Sequence, residues 1–538
     1  MPPTTEAAGD SAGVVIGVDI GTTSTKSVAY TTGGQVVASG GKAYPLLEPF
    51  PGHAVQRPDE IVEAVLEAIR ETVAGVGGRP VVALSFSAAM HSLLGLSPEG
   101  DPLTDLVTWA DTRSSEQARR LRAAPGGLAL HRRTGTPLHP MSPLPKLVWF
   151  REQEPKLFER VGHWVGIKEY VLLWLCDALV VDHSVASATG LLNLASLEWD
   201  AEALRVAGLE AEQLAELVPT TTVLPELTAE AAARVGLPAG TPVVVGASDG
   251  PLANLGLGAV APGVAACSIG TSGALRVMVD RPAVDPLGQV FCYALTADRW
   301  VVGGAINNGG VVLEWAGGAL APDLGGDAAE ELLDLAGSVP AGSGGLLMLP
   351  YLLSERAPHW SAIPQGAYVG LTRAHRREHL IRAAIEGVCL QLGLVLASMR
   401  AAGLDIHEIR ATGGFARSRL WRQMLADALG VAIHFPQGHE GSSFGAALLG
   451  MQALGIIDSI DVAADLVRVE STVRPEPSAA ATYASLQPIF AELYHALTPT
   501  FTTLRRLAPG LPYDLPDEPR AGGREAGTVG AGRKGELR

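Results

Sequence analysis

Apolar and polar positions alternate along the chain with two distinct periods, and the change from one to the other marks out its elements. Val14 to Val18 is an apolar run that ends in Asp19. The chain then passes through Ile20-Gly-Thr-Thr-Ser-Thr-Lys26 and returns to an apolar run from Val28 to Tyr30. This pattern predicts a β-hairpin. Gln35 to Ser39 offers a third short strand. Pro58-Asp59-Glu60 then introduces Ile61, Val62, Val65, Leu66, Ile69 and Val73 at helical spacing, with acids in the first turn, and Val81 to Phe86 is again a strand. Strand, strand, strand, helix, strand predicts a mixed sheet with helices packed on it.

The same order returns later. Pro242 to Ser248 is an apolar strand that delivers Asp249 into a Gly-rich turn. Gly263 to Met278 then repeats the opening pattern, with Ile269-Gly270-Thr271 matching Ile20-Gly21-Thr22 at an offset of 249 residues, so the chain reads as an internal duplication. The second copy has Ser268 where the first has Asp19. Val301 to Gly310 predicts a strand running into a turn, with a helix from Val311. Arg377 to Arg400 places Ile381, Ile385, Val388, Cys389, Leu392 and Leu396 on one helical face. Ile406 to Gly414 reads as a strand, followed by a helix with Ser418 as N-cap and Gly430 as its stop. Residues 1–12 and those beyond about Pro509 are expected to be disordered tails, poor in apolar residues.

With 538 residues the chain is too long for one ordinary core, which argues for two or more domains. A formal charge of −16 disfavours nucleic acid or an anionic membrane surface as partner and leaves a small molecule. Four dispersed cysteines form no metal or disulfide framework, and the polar first residues form no signal peptide, so a reducing cytoplasm is expected. Gly250 to Leu275 carries no charge over a length that could span a bilayer. Its many Gly, Pro251 and Pro262 argue for a buried turn-and-strand region instead.

The hairpin turn holds Gly21, Thr22, Thr23, Ser24 and Lys26, a set of hydroxyls, backbone freedom and charge that suits phosphate oxygens, and Asp19 is placed for a phosphate-bound Mg²⁺. An ordinary polar turn is the plain alternative, as helix capping is for Asp249. Between Ser87 and Phe150 lie Met90-His91, Trp109-Ala-Asp111-Thr-Arg113 and the run Gly135 to Trp149. Taken singly these are core or surface residues. Grouped after strand ends they point to a polyol or sugar site. Gly413-Gly414 before the helix at Ser418 is a generic anion seat. Gly441-Ser-Ser443-Phe-Gly445 fits a hydrolase elbow, with Asp461 and His495 following, but no strand runs directly into Ser443.

Two segments, Met141-Ser-Pro-Leu-Pro-Lys146-Leu-Val-Trp149-Phe-Arg-Glu-Gln153 and Gly366-Ala-Tyr-Val-Gly370-Leu followed by His379 to Glu386, together with the duplicated turn, resemble the sugar kinases named for a Phe-Gly-Gly-Tyr motif, over residues 13 to 500. That family includes glycerol, xylulose and gluconate kinases. The resemblance implies an α/β fold of two ribonuclease-H-like domains of the actin and hexokinase type, at 13–255 and 256–505, with ATP, Mg²⁺ and sugar in the cleft between them. It implies Asp249 as general base, Asp19 with Asp249 at the metal, and Thr22, Thr23, Ser24, Lys26 and Thr271 on the phosphates. Gly310, Glu314, Gly413, Gly414 and Ser418 would hold the rest of the nucleotide.

Met90, His91, Trp109, Asp111, Met141, Asp249 and Gly250 would then carry the sugar. Glycerol kinases have Arg-Glu at the place of Met90-His91 and Tyr at the place of Met141, which disfavours glycerol. The runs Gly135 to Pro143 and Gly166 to Tyr170 look most like the gluconate branch. A sugar acid needs a cation, and Lys168, Arg113 and His139 are the candidates. A xylulose or other ketose kinase, and an actin- or chaperone-type ATPase with no sugar, are the rival readings. A homodimer is left open.

Overall fold

The computed structural model describes residues 13–325, 329–437 and 441–507. The first half builds a six-stranded sheet from β1 (Val14–Ile20), β2 (Ser24–Tyr30), β3 (Val36–Ala43), β4 (Val81–Ala88), β5 (Val223–Leu224) and β6 (Val243–Ser248), in the order β5-β6-β4-β1-β2-β3. The second half builds seven strands: β7 (Val264–Ile269), β8 (Gly273–Val279), β9 (Phe291–Thr296), β10 (Arg299–Ile306), β11 (Glu408–Thr412), β12 (Ala432–Pro436) and β13 (Val469–Val473). Their order is β9-β10-β8-β7-β11-β12-β13.

The duplication read from Ile-Gly-Thr is a duplication of the sheets. From β3 across to β5 the pairings run antiparallel, antiparallel, parallel, parallel, antiparallel, and from β10 across to β13 they run the same way. Only β9 lacks a counterpart in the first sheet. Central strands of such sheets are covered on both faces and therefore read as continuous apolar runs. Val14, Val15, Ile16, Val18 and Ile20 are all fully buried.

Helices close each sheet. α1 (Pro58–Gly75) begins with Pro at its first position and acids in its first turn, and buries Ile61, Val62, Val65, Leu66 and Ile69 against β2 and β3. The long apolar helix α5 (Arg377–Ala401) meets the length and hydropathy of a membrane span, but it is a core helix with 83% of its apolar window buried. α6 (Arg419–Leu429) is capped as its sequence predicts: the Ser418 hydroxyl accepts from Trp421 N, and Gly430 is left-handed. The uncharged stretch from Gly250 becomes α3 (Asp249–Gly256), a turn, β7 and the start of β8.

α7 (Gly441–Ala453) comes from the second half yet packs on the first sheet, against β1, β4 and α3. A Cβ at Gly17, Gly256 or Gly445 would collide with backbone oxygens of this contact, so glycine is what lets the halves approach so closely. α7 also contains the hydrolase-like motif. Ser443 is buried in the first turn of this helix with its hydroxyl bonded to Tyr30 Oη at 2.9 Å, which is not an exposed strand-to-helix elbow. The last helix, Pro477–Leu507, runs past the second-domain bound expected at 505, while the tails expected at 1–12 and beyond about Pro509 lie outside the described residues.

Candidate active site

Because β1, β4 and β6 are parallel, their C-terminal ends meet at one edge. Register places Asp19 beside Ser87, and Ser87 beside Ala247, so Asp249 emerges two strands from Asp19, just past the end of β6. The Ser87 hydroxyl donates to Asp19 Oδ1 at 2.7 Å. Asp249 does not cap α3. Ser248 is the N-cap residue, and Asp249 Oδ1 accepts instead from Gly250 N at 2.7 Å.

Asp249 and Thr22 from the first half face Ser268, Gly270 and Ser272 from the second across a pocket of about 290 Å³. Met90, His91, Trp109 and Met141 line it, as expected of a sugar site. Trp109 Nε1 donates to Thr22 Oγ1 at 2.8 Å and so joins the pocket wall to the turn after β1. His91 holds a left-handed backbone, φ 71°, a conformation that a non-glycine residue adopts at a cost. Its Nδ1 donates to the Ala188 carbonyl at 2.7 Å, which leaves Nε2 to accept from Tyr293 Oη at 3.4 Å. Burial pushes its pKa down to about 3, so the ring is neutral. A Cβ at Gly250 would press on the Met90 methyl at 2.7 Å, so Gly250 shapes the pocket by lacking a side chain.

Lys146, part of the motif that carried the family resemblance, lies fully buried beneath these residues. Its Nζ donates to the carbonyls of His91, Thr108 and Met141, each at 2.7 Å. Burial pushes its pKa down to about 7. Three acceptors call for three N–H groups, which only the ammonium form has. One buried cation thus joins the segments that present His91, Trp109 and Met141.

Asp111 is not brought to the pocket. It is fully buried, with its oxygens taken by the Arg113 side chain at 2.9 and 2.7 Å and by Ala54 N at 2.8 Å. That same pair removes Arg113 as a free cation. Lys168 pairs with Asp182 inside the first half, and His139 Nδ1 accepts from Met141 N at 3.2 Å. The cations that do line the pocket are Arg276, on β8, and Arg356, in the loop after Pro350. Sequence reasoning missed both. The available signal was a single Arg inside the apolar strand Gly273 to Val279, and an Arg beside Glu355 in a turn. Burial holds the Asp249 carboxyl above its ordinary value, opposed by the Arg276 guanidinium and by the backbone N–H groups of Gly250 and Met90.

Gly270 also lines a second cavity of about 1520 Å³, with Thr271, Gly310, Glu314, Gly414, Phe415 and Ser418 around it. Gly413, next to Gly414, has φ 115°, and a Cβ there would strike the Ile269 carbonyl, at the start of the turn after β7. Thr23 and Lys26 are exposed and Ser24 opens β2. None of the three lines either cavity. For a metal, the described residues contain no group of three or more His, Cys, Asp or Glu. Asp19 and Asp249, two carboxylates at the ends of strands on either side of β4, fit a magnesium ion held mainly by nucleotide phosphates and water.

The family models of the N-terminal and C-terminal domains of FGGY carbohydrate kinases match residues 14–256 and 265–454. A gluconokinase of Bacillus subtilis is 41% identical over 505 residues, 92% of this chain and 98% of its own. A gluconate kinase structure from Lactobacillus acidophilus superposes with a TM-score of 0.88 at 36% identity, covering 91% of this chain and 99% of its own. A structure described as a ligand-bound xylulose kinase from the same organism gives the same TM-score and identity, covering 91% and 100%. With its two duplicated sheets and the pocket and cavity meeting at Gly270, the chain belongs to the FGGY family of carbohydrate kinases and is an ATP-dependent sugar kinase.

Proposed function

We propose that the enzyme transfers the γ-phosphoryl group of Mg-ATP to the 6-hydroxyl of D-gluconate, giving 6-phosphogluconate. The observation that carries this reading is the position of Asp249. It is a half-buried carboxylate in the small pocket, and that pocket shares Gly270 with the large cavity. A sugar hydroxyl lying against Asp249 gives up its proton there as its oxygen attacks phosphorus, and positioning rather than covalent chemistry does the rest. Thr22 and Thr271, one from each turn, face the transferring phosphates, with Thr23, Ser24 and Lys26 behind the first. Gly310, Glu314, Gly413, Gly414 and Ser418 hold the remainder of the nucleotide. Asp19 and Asp249 would hold the magnesium ion, which when bound offsets phosphate charge.

Gluconate is favoured over a ketose by the likeness to gluconokinases and by the two arginines in the pocket. The four cysteines, all free and buried, support a reducing cytoplasm. The test is ADP release from ATP with D-gluconate, D-xylulose, other ketopentoses and glycerol in turn. Gluconate should give the highest kcat/KM, and ATP alone should be turned over far more slowly because closure around the sugar excludes water. A preference for xylulose, or equal ATP turnover without any sugar, would refute the reading.

A further inference from the structure

The pocket carries more positive charge than its own residues balance. Arg276 and Arg356 both enter it, and among the described residues Asp249 is the one carboxylate that lines it. Among the described residues neither guanidinium has a carboxylate within 4.0 Å. Glu355, next to Arg356, is committed elsewhere: Oε1 accepts from Asn307 N and Arg356 N, and Oε2 from Asn308 Nδ2. Arg356 is held over the Trp109 ring at 5.1 Å, with Nη2 donating to the Ile306 carbonyl at 3.1 Å. The Nε atoms of Arg276 and Arg356 are both buried without a hydrogen-bond partner. Orphaned charged donors in an enclosed space are costly, and a planar carboxylate is the group that a guanidinium fork satisfies best. A ketose or neutral polyol offers only hydroxyl, carbonyl or ring oxygens and no compensating charge.

We propose that Arg276 and Arg356 together form the receptor for the carboxylate of a sugar-acid substrate, and so set the preference for an acid over a neutral sugar. This rests on the gluconate reading above and adds the residues that would enforce it. Arg356, stacked on Trp109, supplies a rigid fork from the second half. Arg276 supplies a second cation on β8, near enough to Asp249 to oppose the rise in that carboxyl's pKa. Substrate would thereby join the halves, its hydroxyl end at Asp249 and its acid end at residues of the second sheet and loop.

The test is the ratio of kcat/KM for D-gluconate to that for D-gluconamide, its neutral isostere, read by ADP release from the full-length enzyme. Wild type should favour gluconate by on the order of 100-fold. Arg356→Gln and Arg276→Gln should each lower that ratio by about tenfold or more, and Arg356→Lys should recover part of it. Because the ratio is internal to each variant, a general loss of stability does not move it. For a variant with no measurable turnover, calorimetric binding of the two ligands reads the same ratio. Equal losses for gluconate and gluconamide would overturn the proposal. Wild type that turns over D-xylulose but neither gluconate nor gluconamide would instead overturn the substrate reading, and the receptor with it.

Discussion

Replacing Lys146 by Met keeps the length of the side chain and deletes the cation that holds the pocket floor together. The carbonyls of His91, Thr108 and Met141, each 2.7 Å from Nζ, would lose their shared donor inside the protein. Leaving a buried acceptor unsatisfied costs about 1–3 kcal/mol, or about 3–9 kcal/mol for three. Removing the buried ammonium returns part of this, since its own desolvation costs several kcal/mol. A net loss of about 2–4 kcal/mol follows, on the order of a 10 °C fall in the transition that includes the first sheet. The three carbonyls belong to the segments that present the side chains proposed to hold the sugar, and the cavity proposed for the nucleotide is lined by the other half. Sugar KM should therefore rise on the order of tenfold or more while nucleotide affinity stays within a few-fold. Differential scanning calorimetry reads the first effect, and steady-state kinetics with calorimetric nucleotide binding read the second. A variant with unchanged melting and unchanged sugar KM would show that Lys146 is not the tie described.

Gly413→Ala would push the Ile269 carbonyl away from a strained φ and displace the second phosphate turn, so the ATP KM should rise with the sugar KM little changed; an unaltered ATP KM would contradict that geometry. The pKa of Asp249 is raised, so the acid limb of kcat/KM should lie above the ordinary aspartate value, and a limb at or below it would exclude Asp249 as the titrating base. His91 and His131 are buried with pKa values lowered to about 3 and about 4. Between those values and about 6.5 the unfolded chain binds more protons. Their contribution is present above pH 6.5 and lost as pH falls through this window, so urea midpoints should drop from pH 7 to pH 4.5 with proton uptake on unfolding.

The fold was legible because its signals are local and repeated. Uninterrupted apolar runs ending in Asp19 and Asp249, the second Ile-Gly-Thr, and capping residues such as Ser418 and Gly430 are all set by nearest neighbours in the chain. The packing of α7 on the first sheet was not legible, because it depends on small residues at Gly17, Gly256 and Gly445 that meet only in the folded chain. Most of the pocket followed from residues that stand just past strand ends, as with His91 and Trp109. Charged residues were where sequence proximity misled. Arg113, Lys168 and Asp111 lie near the pocket segments in the chain, yet their charges are spent on internal pairs. Arg276 and Arg356 are remote in sequence and reach the pocket because the second sheet faces the first.

Asp249 is proposed to take the proton of the attacking sugar hydroxyl. Asp249→Asn preserves the shape of the pocket and the hydrogen bond available to Gly250 N, and removes the base. The most direct measurement is single-turnover phosphoryl transfer to D-gluconate by this variant, with nucleotide binding measured alongside. Asp249→Asn should lower the transfer rate on the order of 10²–10⁴-fold while nucleotide affinity stays within a few-fold of wild type. Transfer at a rate near that of wild type would contradict it.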